Sequence, residues 1–270
     1  MSESFLHRDD APFGHKVWEK IDQTVIGAAK SQLCGRRLLR TQGPYGLGLK
    51  GLVGGDKAID EKADGAEMIA PCVIPLVMIQ SEFALPIRDV AAFEQRDMPL
   101  DLGDAAKAAL DCARQEDNLI FNGSKAVGVK GLMNMDGVGS AKLKQWDSPG
   151  TAADDVIQAV TTLDQQGFHG PYALGLSPEL YNLLFRRYPQ GNQTEMEHVR
   201  QIVTDGIVKT PALSSGGLLL CTSGPFANVV LGQDIMTRFI GPSGTDYEFT
   251  VSESVALNLT EGGALCVLKK

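Results

Sequence analysis

Residues 47–81 read LGLKGLVGGDKAIDEKADGAEMIAPCVIPLVMIQS, and no other stretch limits so strongly what the chain can fold into. The segment opens on glycine turns, passes through a charged middle and returns along a strongly apolar arm. Two long extended arms joined by a polar tip fit that order. A strand pair within a core is the plainer alternative. The glycine-rich first half, however, offers few side chains to bury. The expectation is an arm that leaves the body and finds its packing partner elsewhere.

Around this segment the chain alternates between helical and extended patterns. Residues 14–33 carry Val17, Ile21, Val25 and Ala28 at helical spacing, with Lys16, Glu19, Lys20 and Gln23 opposite. "GPYG" at Gly43–Gly46 stops regular structure. Residues 101–122 form the clearest helix, alanine-rich, with aspartates at its positive end and Gly123 at its stop. Leu102, Ala106, Ala109, Leu110, Ala113 and Ile120 make a stripe suited to close packing. Thr151–Gln166 is a further helix. Ser177 stands at an N-cap position before Pro178, and Thr194 with Glu197 forms a capping box after the loop broken by Pro189 and Gly191. The last third consists of short β-type runs: GLLLCTS, NVVLGQD, MTRFIG, YEFTVSES, VALNL and ALCVL. Helices first, mixed units next and strands last give an α+β fold with more than one sheet.

Bulk properties exclude several classes. A net charge of −8 argues against a general nucleic-acid binder, which needs a basic face to displace counterions. The five cysteines, Cys34, Cys72, Cys112, Cys221 and Cys266, stand far apart without a C-x-x-C pair. They fit neither a zinc site nor a disulfide scaffold, so reduced thiols in the cytoplasm are expected. No apolar run is long enough to cross a bilayer, and no membrane partner is expected.

One stretch imitates a nucleotide site. "GSKAVGVKGL", Gly123–Leu132, has two glycines at phosphate-loop spacing, but Val129 stands where the lysine belongs and a helix precedes it instead of a strand. The glycines are expected to turn the chain back at a helix end. The four histidines, His7, His15, His169 and His198, are scattered, and Gly-x-Ser-x-Gly is absent. His198, flanked by Glu195 and Glu197, reads as part of a solvated helix face. No residue is assigned to catalysis, a metal or a cofactor.

The same "DNLIFNGSKAVGVKGL" resembles elements of the encapsulins, bacterial nanocompartment shell proteins of the linocin type. The likeness runs along the chain through "QLCGRRLL", "GPYG", "VIPLVMIQSEFAL", "GPYALGLSPELY", "LGQD" and "ESVALNLTEGGALCVLKK". It implies the Hong Kong 97 phage capsid fold. The peripheral domain would take residues 1–130 and 226–270, with 101–122 as its spine helix. The extended loop would take 47–81 and the axial domain 131–225. On that pattern the subunit is a structural component that assembles with itself, most simply as sixty copies, and encloses a cargo enzyme through that enzyme's C-terminal targeting peptide. A dye-decolourising peroxidase or a ferritin-like iron oxidase is the implied cargo.

The resemblance also assigns two surfaces. Gln190, Gly191, Asn192, Gln193 and Thr194 would line a five-fold pore with uncharged hydrogen-bonding groups; a plain solvent loop is the alternative. Leu33, Arg36, Val255, Leu257 and Leu259 would dock the cargo peptide, although the last three alternate at strand spacing and equally suit a core. Two departures stand out. Arg88 occupies the place where some relatives stack a flavin on tryptophan, so no flavin is expected. Arg40 stands where some relatives have an acid near the docking face. A prophage capsid protein of the same fold is the first rival reading and a hydrolase the second.

Overall fold

The computed structural model describes residues 3–63 and 66–269. The chain divides into two units. One comprises 1–32, 42–116 and 230–256, the other 33–41, 117–229 and 257–270. The boundary falls inside the helix Gly103–Asn122.

In the first unit, helix His15–Gln32 buries Val17, Trp18, Ile21, Val25 and Ala29, the apolar positions of its 3.6-residue repeat. Strand Val77–Pro86 runs antiparallel to Asp246–Leu259, with Phe83 opposite Phe249 and Val77 opposite Val255. Asp246–Leu259 is flanked on its other side by the long strand Ala227–Ser243. The unit's core is aromatic. Phe83 stacks on Phe249 with ring centroids 4.9 Å apart, and Trp18 meets Phe249 edge-on at 5.8 Å. Such contacts add to simple area burial. A helix that the sequence pattern did not announce, Ile87–Arg96, follows Pro86.

From this unit extends the arm. Gly51–Ala63 pairs antiparallel with Ala66–Pro75, with register shifts between Val53 and Asp56 and between Ile59 and Lys62. The expected two extended strands are therefore present, and the charged middle falls at their junction.

The second unit is built on a five-stranded mixed sheet. Its order is Gly139–Lys142, Leu265–Lys269, Gly217–Cys221, Tyr172–Leu176, Ile207–Lys209. Gly217–Cys221 and Tyr172–Leu176 are buried along their whole length, as expected of strands covered on both faces. Helix Thr151–Gln165 buries Ala152, Ala153, Val156, Ala159 and Leu163 into the same core as Leu174, Leu219 and Leu268. The terminal strand lies within this sheet, between Gly139–Lys142 and Gly217–Cys221, and not with the strands of the first unit as the expected domain limits had it. Leu33–Thr41 also groups with the second unit. The cause is visible at Asp117: its buried carboxylate accepts hydrogen bonds from the Cys34 and Gly35 amides at 2.8–3.0 Å. It thereby satisfies the free N–H groups that open the short helix Gly35–Leu38.

The stripe expected on the spine helix is displaced. Ala109, Ala113 and Ile120 are buried as expected, but Ala105, Ala108, Cys112 and Glu116 complete the buried face, while Ala106 and Leu110 are half-exposed.

The glycines of "GSKAVGVKGL" serve geometry. Gly123 has φ +71°, and Gly123–Ser124 pairs with Val129–Lys130 in a two-stranded turn. A Cβ on Gly131 would lie 2.4 Å from the Gly123 nitrogen and 2.6 Å from Phe121 backbone atoms. After the turn, the Leu132 and Met133 amides donate to Ile120 and Phe121 carbonyls at 2.9 Å. The turn thus caps the helix end.

Candidate functional site

The arm is the most unusual surface. From Arg40 to Met78 no described side chain is buried; Ile79 is the first that is. Side chains alternate across a strand, so Ile69, Pro71 and Val73 share one face, and Val53 stands directly opposite Val73. Val53 is 75% exposed, Ile69 63% and Val73 57%. A contiguous apolar face of this kind marks a contact surface.

The second surface is the loop before helix Glu195–Ile202. The Tyr188 amide donates to the Gln193 carbonyl at 3.0 Å and the Glu195 amide to the Arg186 carbonyl at 3.0 Å. Gln190, Gly191, Asn192 and Gln193 are exposed at its tip. Thr194 is half-buried and committed to the helix. Its hydroxyl accepts from the Glu197 amide at 3.2 Å while the Glu197 carboxylate accepts from the Thr194 amide at 2.7 Å. That reciprocal pair is the expected capping box, and it leaves four of the five expected pore residues as the presented tip. The Thr194 amide and hydroxyl, and then Arg187 and Arg200, hold the Glu197 carboxyl below its ordinary value.

Beneath the tip, Glu195 is fully buried, which corrects its expected place on a solvated helix face. Arg186 donates to it through Nη2 at 2.8 Å and Nε at 3.2 Å, and the Gly150 amide donates at 2.7 Å. His198 is likewise engaged: Nδ1 lies 2.7 Å from the Tyr188 hydroxyl. Burial, then Glu195 and Asp154, push the Tyr188 hydroxyl above its usual pKa, so it stays protonated. The loop is a polar tip on a rigid, charge-paired base.

The five residues expected to dock a peptide separate by exposure. Leu33, Val255 and Leu257 are buried. Ala256, which points to the opposite side of the strand, is buried too, so this stretch is covered on both faces and its alternation gives no outward apolar row. The three side chains serve the core. Arg36 on the short helix and Leu259 near the end of its strand are the partly accessible members.

Nothing among the described residues assembles a catalytic set. His7 pairs with Asp10, His169 with Asp164, and His198 with Tyr188; none meets a serine or cysteine nucleophile in these bonds. The described residues contain no group of three or more His, Cys, Asp or Glu placed to hold a metal. No described helix is long and apolar enough to cross a membrane. Burial pushes the Cys34 and Cys112 thiols up to about 12 and Cys266 to about 11, which keeps them unreactive.

Two units, a long spine helix and a projecting two-stranded arm define a capsid-type protein. The chain superimposes on the virus-like particle of Pyrococcus furiosus with a TM-score of 0.73 at 22% identity, over 93% of this chain and 99% of that one. On the capsid of Myoviridae phage XM1 it scores 0.59 at 11% identity, over 86% and 89%. The fold is that of the Hong Kong 97 phage capsid proteins. The family model described as encapsulating protein for peroxidase (Linocin_M18) matches residues 3–256. A type 1 encapsulin shell protein of Myxococcus xanthus, EncA, is 33% identical over 98% of this chain and 96% of its own length. The chain belongs to the encapsulin shell-protein family.

Proposed function

We propose that this chain is a non-enzymatic, cofactor-free subunit that closes into a cytoplasmic icosahedral shell of sixty copies around a cargo enzyme. The observation that carries this reading is the arm, whose apolar face is left uncovered by the described residues of its own chain. Neighbouring copies supply the cover, and repetition of one contact around closed symmetry multiplies a small gain. The tip Gln190–Gln193 lines the opening at the five-fold axes, and its amides admit small polar solutes by size and hydrogen bonding. The face around Arg36 and Leu259 receives the C-terminal peptide of the cargo. The family description supports a peroxidase as cargo; a ferritin-like iron oxidase is the other candidate. The net charge of −8 favours a protein cargo over packaged nucleic acid.

Negative-stain microscopy and native mass measurement of the purified protein test this directly. Uniform hollow particles are expected. A stable monomer at micromolar concentration, with the arm protected from proteolysis, would refute it. Incubation of particles with casein and a serine-reactive probe tests the non-enzymatic part: labelling of one residue, with hydrolysis lost on its mutation, would overturn it.

A further inference from the structure

The docking face contains a feature that the proposed apolar anchors do not use. Arg37, Leu38, Leu39 and Arg40 border an open basin of about 460 Å³ completed by Thr204, Asp205, Gly206 and Thr222. Arg37 and Arg40 are exposed. Among the described residues neither forms an ion pair, and Arg40 Nη2 has only the Thr222 carbonyl at 3.5 Å. Two backbone groups of the floor are already spent: the Gly206 carbonyl accepts from the Leu174 amide at 3.0 Å, and the Asp205 amide donates to the Tyr172 carbonyl at 2.9 Å. Neither of these two groups is open to a ligand. Recognition falls to two guanidiniums, which suit carboxylates through paired N–H donors.

We infer that this basin binds acidic side chains of the cargo's docking peptide, so that this shell selects a tag in which carboxylates alternate with apolar anchors. The inference rests on the docking reading above, since Arg36 leads directly into Arg37. Asp205 decides between occupants. Its carboxylate, held by the Thr222 hydroxyl, repels a continuous polyanion such as nucleic acid. A peptide can set one carboxylate against the arginines while turning its own N–H groups toward Asp205.

The test co-expresses the full chain with a fluorescent reporter protein carrying one of three C-terminal tags. The tags share Leu and Ile anchors and differ only in bearing Glu, Gln or Lys between them. Reporter per subunit is read in purified particles. Loading is expected to fall from Glu to Gln to Lys, with about a fivefold step from Glu to Gln for exposed ion pairs. The step should vanish in Arg37→Gln/Arg40→Gln particles of unchanged size. Equal loading of the three tags overturns the inference while leaving peptide docking intact; loading of none overturns both. A Glu preference that survives the double substitution also refutes it, as does nucleic acid that co-purifies with the wild type and is lost from the variant. Should the variant fail to assemble, the three-tag comparison in wild-type particles still decides.

Discussion

Replacing Ile69 and Val73 by serine isolates the arm's contribution to assembly. Both side chains lie on one face of the strand, and 63% and 57% of each is exposed. Covering a Val or Ile side chain completely contributes about 1.5–3 kcal/mol. About three fifths of that remains to be gained at each position, or about 2–3.5 kcal/mol per subunit for the pair. The subunit concentration at which particles form should therefore rise by a factor of about 30–300. Sedimentation velocity over a dilution series measures that threshold. Neither residue packs in the core, so thermal unfolding of the unassembled subunit should move by less than about 0.5 kcal/mol. Particles that form at the wild-type threshold would refute the reasoning. So would a subunit that loses as much stability as the assembly, because the arm would then be packed on its own body.

Three further outcomes follow from the second unit. Arg186→Met leaves the buried Glu195 carboxylate without its charge partner and should cost about 3–5 kcal/mol in denaturant unfolding, with faster hydrogen exchange through residues 188–194. Gly131→Ala places a Cβ against the Phe121 and Gly123 backbones and should lower stability by about 1–3 kcal/mol, whereas alanine at Gly128, where nothing lies within 4 Å but φ is +74°, should cost less. Thr194→Ala removes the cap for about 1 kcal/mol. The Glu197 carboxyl is held below its unfolded value of about 4.3 by Thr194 first; its contribution is present above that pH and disappears as the pH falls through the lower folded value. An acid titration of helix stability should therefore show a step below pH 4 or so in the wild type and a smaller one in Thr194→Ala, which loses the hydroxyl but keeps the backbone N–H and the two arginines.

Local signals in the chain carried far. The helices expected at 14–33, 101–122 and 151–166 are His15–Gln32, Gly103–Asn122 and Thr151–Gln165, because amphipathic spacing and end residues act within a few turns. The Thr194–Glu197 box was readable for the same reason. Ser177 shows the limit of such reading: it stands at the N-cap before Pro178, yet its hydroxyl makes no cap bond. Long-range pairing left no comparable mark. Leu265–Lys269 reads as a β run, but nothing in its composition tells that its neighbours are Gly139–Lys142 and Gly217–Cys221. Buried acids were equally hidden. Asp117 and Glu195 look like ordinary surface carboxylates until the amides and the guanidinium that hold them are in place. The exposed loop tip was legible from Pro189 and Gly191, and the arm from its unburied apolar content. The docking face was less so, since a strand buried on both sides has the same spelling as one with an apolar outer row.

The two slips of register in the arm have a mechanical meaning. Each leaves residues of Gly51–Ala63 without an opposite number on Ala66–Pro75, and such irregularities bend and twist a ribbon at fixed points. A ribbon jointed in this way has its curve written into the backbone, at two set places along its ladder. Every copy of the sequence then carries the same built-in bends to its neighbour.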